Sequence, residues 1–328
     1  MRTNKANKKI GLLTSGGDAP GMNAVIRGVV RSAMYHGVEV LGIRRGYEGL
    51  IAADFVQLKA KDVSDVIHRG GTILLTARCP AMHTDEGLDR AVQVCKILAL
   101  DALIVVGGDG SISGASRLAE KGVNVICIPA TIDLDFNCSE YTIGFDTAVN
   151  TGMDAINKIR DTSTAHERVS VVEVMGRNCG HLALWCGMSG GAEEIVIPEN
   201  RNVDTAAVIR QIMENRGKGK THNLILIAEG ADGHESGALS EEIERITGIE
   251  SRATILGHLQ RGGSPTALDR MHGSMMGHNA VDLLVNDGKN RVIILKDGKY
   301  KDIDIKEAIS ATKEYDNKLY DIIKILAI

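Results

Sequence analysis

Thr131, Asp133 and Asp135 stand at alternate positions of the segment PATIDLD (129–135). In an extended chain, alternate side chains point to one side, so the three would share a face. Two carboxylates that close can divide the labour, one as a general base and one beside a metal ion. Turn chemistry after Pro129, with the Asp side chains bonding nearby backbone, is the competing account. A second constellation lies upstream in IVVGGDGS (104–111), where an apolar run ends in Gly107-Gly108-Asp109-Gly110 and Ser111 follows. Glycine N–H groups and the positive start of a helix favour a di- or triphosphate, and Asp109 offers a carboxylate to its Mg²⁺. Ser111 is expected to cap that helix. The third glycine of a dinucleotide fingerprint would fall at Ser113, so a dehydrogenase signature is incomplete.

A third glycine-rich loop, TSGGDAPGMN (14–23), places Gly16 and Gly17 after an apolar run. A P-loop is excluded there because no G-K-[ST] follows. Gly219-Lys220-Thr221 supplies that triplet, but Glu214 stands where the first glycine is required. Arg78, Arg160, Arg168, Arg177, Arg252 and Arg261 fall in or beside such loops or at element ends. Arginine matches phosphate bidentately and keeps its charge, so the set points to two anionic ligands. Of ten histidines, His258 alone lies in a Gly/Arg loop. Trp185, in the apolar stretch HLALWCGM, is expected in the core.

Elements that position these loops follow from the hydrophobic period. Strands are expected at 8–14, 38–43, 71–75, 102–106, 124–128, 169–174, 223–228, 252–256 and 291–295, nearly all apolar, as strands covered on both faces must be. Helical patterns fill 22–36, 86–99, 111–121, 145–165, 203–216 and 266–286. In the first of them Val25, Ile26, Val29, Val30 and Ala33 share one face, with Arg27 and Arg31 opposite. Strand–helix alternation argues an α/β fold with parallel sheets, whose ligands bind beyond the carboxyl ends of the strands. Seven glycine- or proline-bearing loops, at 15–21, 76–80, 107–111, 129–135, 175–180, 228–233 and 257–263, follow expected strands, which puts them on that edge.

Composition narrows the function. The net charge of −4 argues against a polybasic nucleic-acid binder, and 3% aromatics against a base-stacking platform. The six cysteines show no C-x-x-C spacing, which fits free thiols in a reducing cytoplasm. No apolar run is long enough to span a membrane, and the basic N-terminus lacks the apolar core of a signal peptide.

Taken together, LLTSGGDAPGMN, HRGGTILLTARCP, GGDGS, TID-x-D, IGFDTAVNT, HER, EVMGR, AEG and GHLQRGGSPTALDR occur in this order. Over about residues 8–328 the chain resembles the bacterial-type ATP-dependent 6-phosphofructokinases. The resemblance implies two lobes, each a largely parallel sheet flanked by helices, with the active site in the cleft between them. Residues 1–144 plus about 260–310 would form the ATP-binding lobe, and about 145–259 plus 311–328 the sugar-phosphate lobe. It implies transfer of the γ-phosphoryl of ATP to the 1-hydroxyl of fructose 6-phosphate with Mg²⁺. Gly17, Arg78, Cys79 and Gly108, Asp109, Gly110 and Ser111 would hold ATP, with Asp109 at the metal. Asp133 would be the base, with Thr131 and Ile132 beside it, and Asp135 would assist substrate or metal. Met175, Gly176, Arg177, Glu229, His258 and Arg261 would meet the sugar phosphate. Arg168 and Arg252 would reach in from a neighbouring subunit of a homotetramer. Arg27, Arg31, Arg160, Gly191, Glu193, Lys218, Lys220 and His222 match an effector site for a nucleotide diphosphate or phosphoenolpyruvate.

Two positions depart from the family pattern: Ala130 stands where Gly is usual, and Leu134 where Asn is usual. Three alternatives therefore stay open: a pyrophosphate-dependent enzyme, a kinase for another sugar phosphate, and a non-catalytic nucleotide-binding paralogue. Against the first, Gly110 leaves room for the α-phosphate of ATP where that group typically carries Asp. Against the last, Asp109, Asp133, Arg78 and Arg177 are all retained.

Overall fold

A computed structural model of the chain describes residues 8–200, 205–231, 235–311 and 317–327. Its strands are β1 (Lys9–Ser15), β2 (Glu39–Ile43), β3 (Phe55–Gln57), β4 (Ala102–Gly107), β5 (Val125–Thr131), β6 (Ile143–Gly144), β7 (Val169–Val174), β8 (Glu194–Val196), β9 (Asn223–Ala228), β10 (Ser251–Ile255), β11 (Arg291–Lys296) and β12 (Lys299–Asp304). Its α-helices are α1 (Met22–Tyr35), α2 (Gly46–Ala52), α3 (Asp85–Ile97), α4 (Asp109–Glu120), α5 (Phe145–His166), α6 (His181–Gly190), α7 (Thr205–Gly217), α8 (Ser236–Thr247), α9 (Ala267–Val285), α10 (Ile305–Ser310) and α11 (Asn317–Leu326).

The chain divides into two compact units. Unit 1 spans Met1–Thr131, Asp135–Thr147 and Gly262–Lys313; unit 2 spans Ile132–Leu134, Ala148–Arg261 and Glu314–Ile328. Ile132–Leu134 group with unit 2, between two stretches of unit 1.

In unit 1 the sheet order is β12-β11-β5-β4-β1-β2-β3, with β6 pairing β5. The interior pairs are parallel, and antiparallel β3 and β12 close the two edges. β4 is buried along its whole length, as its unbroken apolar run requires. Burying each Val, Leu or Ile side chain is worth about 1.5–3 kcal/mol. On α1, Val25, Ile26, Val29, Val30 and Ala33 are buried, Arg27 is half-buried and Arg31 exposed. α1 and α9 touch backbone to backbone: a Cβ on Gly28 would lie 2.7 Å from the Ser274 carbonyl, and one on Gly277 2.7 Å from that of Val25.

Residues 71–75 are not the expected strand. Side chains take their backbone groups instead: Ile73 N donates to Asn23 Oδ1 (2.8 Å), and Thr14 Oγ1 donates to Leu75 O (3.0 Å). Leu75 is left-handed (φ 61°), and β3 occupies the sheet edge beside β2.

Unit 2 holds a parallel sheet in the order β10-β7-β9-β8. Its core joins Val169, Val171, Ile225 and Ile227 of the strands to Val208, Ile212, Leu239 and Ile243 of α7 and α8. Two expectations fail here. Edge strand β10 is not covered on both faces, since Ile255 is 65% exposed. Trp185 is 47% exposed, because α6 buries Leu182, Ala183, Leu184 and Cys186 and turns the indole outward.

Candidate active site

Unit 1 carries a glycine-rich edge. Ser15 pairs with Gly107 and Gly107 with Pro129, so β1, β4 and β5 finish side by side at their carboxyl ends. A Cβ on Gly107 would lie 2.5 Å from Ser15 O and 2.7 Å from Ser111 Oγ, so only glycine allows these loops their spacing. Gly108, not Ser111, is the N-cap of α4, and no side chain caps it. Ser111 is instead buried in the first turn, held through its carbonyl by the Tyr47 hydroxyl at 2.6 Å. An uncapped N-terminus leaves N–H groups for an anion. Asp109 and Gly110 are exposed there, and a Cβ on Gly110 would meet nothing within 4 Å. Thr76 Oγ1 donates to Gly16 O (2.7 Å), which ties the loop bearing exposed Arg78 and half-buried Cys79 to the Gly16–Gly17 turn.

Among the described residues no group of three or more His, Cys, Asp or Glu side chains could hold a metal ion. An exposed carboxylate such as Asp109 at this glycine-rich edge is the donor pattern Mg²⁺ uses when substrate phosphates and water complete its shell, so the residues present fit that ion.

Unit 2 carries a second polar edge. β10, β7 and β9 are neighbours, and their carboxyl ends lead into the loops with Met175–Arg177, Glu229, His258 and Arg261. Met175 N donates to Gln260 Oε1 (2.8 Å), and Arg177 N to Glu229 Oε1 (2.8 Å). Arg177 is left-handed (φ 55°), and a Cβ on Gly230 would lie 1.9 Å from its carbonyl. The loop is therefore fixed through its backbone, while the Arg177 side chain stays exposed. Asp133 is buried, and its carbonyl accepts from the Cys179 thiol at 3.1 Å. The expected alternation of Thr131, Asp133 and Asp135 breaks down because β5 ends at Thr131 and Leu134 turns left-handed (φ 54°).

Arg168 and Arg252 lie elsewhere. They adjoin the amino ends of β7 and β10, and both pair with Glu250, at 3.6 Å and 2.6 Å. A strand of this length spans about 20 Å, so they stand at the opposite edge of the sheet from Arg177. Arginines near strand termini can be told apart only by which terminus each one flanks, and these two flank the amino ends.

Of the expected effector residues, four meet in unit 2. Arg160, in α5, donates to the carbonyls of Gly190 and Gly191, and Lys220 Nζ meets Glu193 Oε1 at 2.7 Å. Glu193 is itself fixed by exchange of backbone and side-chain bonds with Leu224. Lys218 is exposed and His222 half-buried. Arg27 and Arg31 belong to unit 1.

Gln260, Gly230 and Cys179 contact the backbone of these loops and are not among the expected site residues. Each sits inside a motif already singled out, but none carries a charge to mark it. The six cysteines are free, and burial pushes Cys95 up to about 11 and Cys186 to about 12, which makes both inert packing groups.

A phosphofructokinase family model matches residues 9–284. The ATP-dependent 6-phosphofructokinase of Clostridium botulinum is 52% identical over 320 residues, covering 98% of this chain and 99% of that protein. The enzyme of the same name from Alkaliphilus metalliredigens is 50% identical over 321 residues, covering 98% and 100%. A structure of Pichia pastoris phosphofructokinase in the T-state is 31% identical with a TM-score of 0.88; the match covers 94% of this chain and 38% of that one. A pyrophosphate-dependent phosphofructokinase from Marinobacter aquaeolei shares the fold, with a TM-score of 0.83 at 19% identity, covering 98% of this chain and 91% of that one.

Proposed function

The chain belongs to the phosphofructokinase family, and from that premise we propose that it transfers the γ-phosphoryl group of ATP to the 1-hydroxyl of fructose 6-phosphate. The observation that carries the choice of donor is the open space at Gly110, beside an uncapped helix start and Asp109. A nucleoside triphosphate needs that room for its α-phosphate; pyrophosphate does not.

Phosphoryl transfer asks for positioning and charge neutralisation more than for covalent chemistry. The Gly16–Gly17 and Gly108–Ser111 backbones hold the donor phosphates, with Arg78 and Cys79 beside them. Mg²⁺, when bound with the nucleotide at Asp109, supplies neutralisation of the phosphate charge. Asp133 accepts the proton of the attacking hydroxyl, with Thr131 beside it and Asp135 assisting. Arg177, Met175, Gly176, Glu229, His258 and Arg261 hold the sugar phosphate.

Arg168 and Arg252 serve the sugar phosphate of a second copy. Their place at the amino ends of β7 and β10 supports this, because a chain cannot turn them onto its own Arg177 edge. The active form is accordingly an oligomer of at least two copies, and the family resemblance makes it a homotetramer. The cluster of Arg160, Gly191, Glu193 and Lys220, with Lys218, His222, Arg27 and Arg31, takes a nucleotide diphosphate or phosphoenolpyruvate as effector, and the enzyme works in glycolysis in the cytoplasm.

A coupled assay on fructose 6-phosphate, with ATP and with pyrophosphate as donor, tests the reading. Turnover with ATP and little with pyrophosphate is expected; the reverse overturns the choice of donor. Asp133→Asn should lower kcat about 10²–10⁴-fold with the KM for ATP little changed. An unaltered kcat removes Asp133 from the mechanism.

A further inference from the structure

We propose that Cys179 is a positioning residue for Asp133: its thiol holds the Asp133 carbonyl and thereby sustains the left-handed turn at Leu134 that follows. The proposal deepens the reading of Asp133 as the base and rests on it. Ile132–Leu134 are three residues of unit 2 bounded on both sides by residues of unit 1. Something must hold so short an excursion in place. The Cys179 thiol does so, 3.1 Å from Asp133 O.

The turn at Leu134 is unfavourable by itself. A left-handed residue brings its Cβ against a carbonyl oxygen, a crowding that Gly escapes and Asn tolerates but Leu does not. Leu134 nevertheless adopts φ 54° and is buried. A strained conformation of this kind persists only where its surroundings over-determine it. Burial of the leucine side chain is one constraint, and the hydrogen bond to the preceding carbonyl is another.

Cys179 can impose that constraint because it is itself fixed. Cys179 N donates to Gly176 O at 3.0 Å, and the same thiol lies 3.3 Å from Gly176 O. Gly176 has φ 146°, and a Cβ there would lie 2.5 Å from the Cys179 carbonyl, so no other residue closes the turn as tightly. The thiol thus lies between two carbonyls, one on the loop of the catalytic base and one on the loop whose neighbours Met175 and Arg177 meet the sugar phosphate. A shift in either loop is passed to the other. Misplacement of a reacting group by about 1 Å is enough to cost a large part of a rate.

The test compares Cys179→Ala with Cys179→Ser, which keeps a donor, and repeats both in a Leu134→Asn background. Cys179→Ala should lower kcat about 10- to 100-fold, with the KM for ATP unchanged, and Cys179→Ser should recover most of the loss. In the Leu134→Asn background the alanine change should cost less, because Asn holds the turn without help. Amide hydrogen exchange over 132–135 should be faster in Cys179→Ala than in the wild type and normal in Cys179→Ser. Equal losses of kcat in both backgrounds overturn the proposal, as does unchanged exchange. If the wild type itself does not phosphorylate fructose 6-phosphate, the proposed function fails, and the exchange data still decide whether Cys179 holds the turn. Should Cys179→Ala not fold, faster exchange at 132–135 in Cys179→Ser overturns the proposal and normal exchange upholds it.

Discussion

Gly108 and Gly110 flank Asp109 at the start of α4, yet a side chain would have different consequences at each. A Cβ on Gly108 would touch Thr131 Cβ at 3.5 Å, whereas one on Gly110 would meet no protein atom within 4 Å. Gly110 is also free of a positive φ, so neither packing nor backbone conformation demands glycine there. The remaining demand is that of a ligand. Gly110→Asp separates the two effects in sign. An acidic residue in the first turn of a helix is neutral to favourable for folding, by about 0.3–1 kcal/mol. A carboxylate at the same place repels the phosphates of ATP. The melting temperature should therefore hold or rise slightly while the KM for ATP rises severalfold, and turnover with pyrophosphate should suffer less. A variant with wild-type ATP kinetics would remove Gly110 from the donor argument.

At the scale of elements, the least legible feature was how α5 and α9 begin. Asp269 of α9 is fully buried and accepts from Gly144 N (2.6 Å), Thr147 N (2.9 Å), Thr147 Oγ1 and the Tyr141 hydroxyl (2.6 Å). It thereby caps α5 from another helix. In return Thr266, which caps α9, donates its amide to Thr147 Oγ1 and its hydroxyl to Asp146. Burial raises the Asp269 carboxyl above its ordinary value, against the pull of its donors. The sequence marked TALDR as a motif and a helix over 266–286, but a cap delivered across more than a hundred residues has no local signature. Asp269→Asn presents an NH₂ to donors that need an acceptor. It should lower the unfolding free energy by about 1–3 kcal/mol, read from denaturant midpoints, with the KM values little changed. An undiminished midpoint would show the network to be dispensable.

For the whole molecule, the proposed need for more than one chain rests on the arginines at the two ends of the unit 2 sheet. If Arg252 serves the site of a second copy, Arg252→Ala and Asp133→Asn damage different subunits' contributions to a site. Each variant alone should be nearly inactive. Unfolded together and refolded as mixed oligomers, they should recover about a quarter of the wild-type sites, since a site then needs an intact Asp133 from one chain and an intact Arg252 from a differing neighbour. Mixtures no more active than the parents would place Arg252 in its own chain's site or in none.

Eight of the nine expected strands and the glycine loops that follow them were legible in the sequence, because apolar runs, β-branched residues and glycine spacing act locally. Runs such as 102–106 and 169–174 have few alternatives to a buried strand. What the sequence could not determine were features that depend on which partner takes each backbone group. Residues 71–75 have the composition of a strand, but Asn23 and Thr14 claim their hydrogen bonds. Ser111 has the chemistry of a cap, but α4 begins two residues earlier and buries it. Arg168 and Arg252 have the charge for a phosphate, but the direction of β7 and β10 carries them to the other edge. Leu134 has no propensity for a left-handed turn, yet it is held left-handed beside a thiol forty-five residues away in sequence. In each case a pattern sets what is buried, and only tertiary contact sets which donor meets which acceptor.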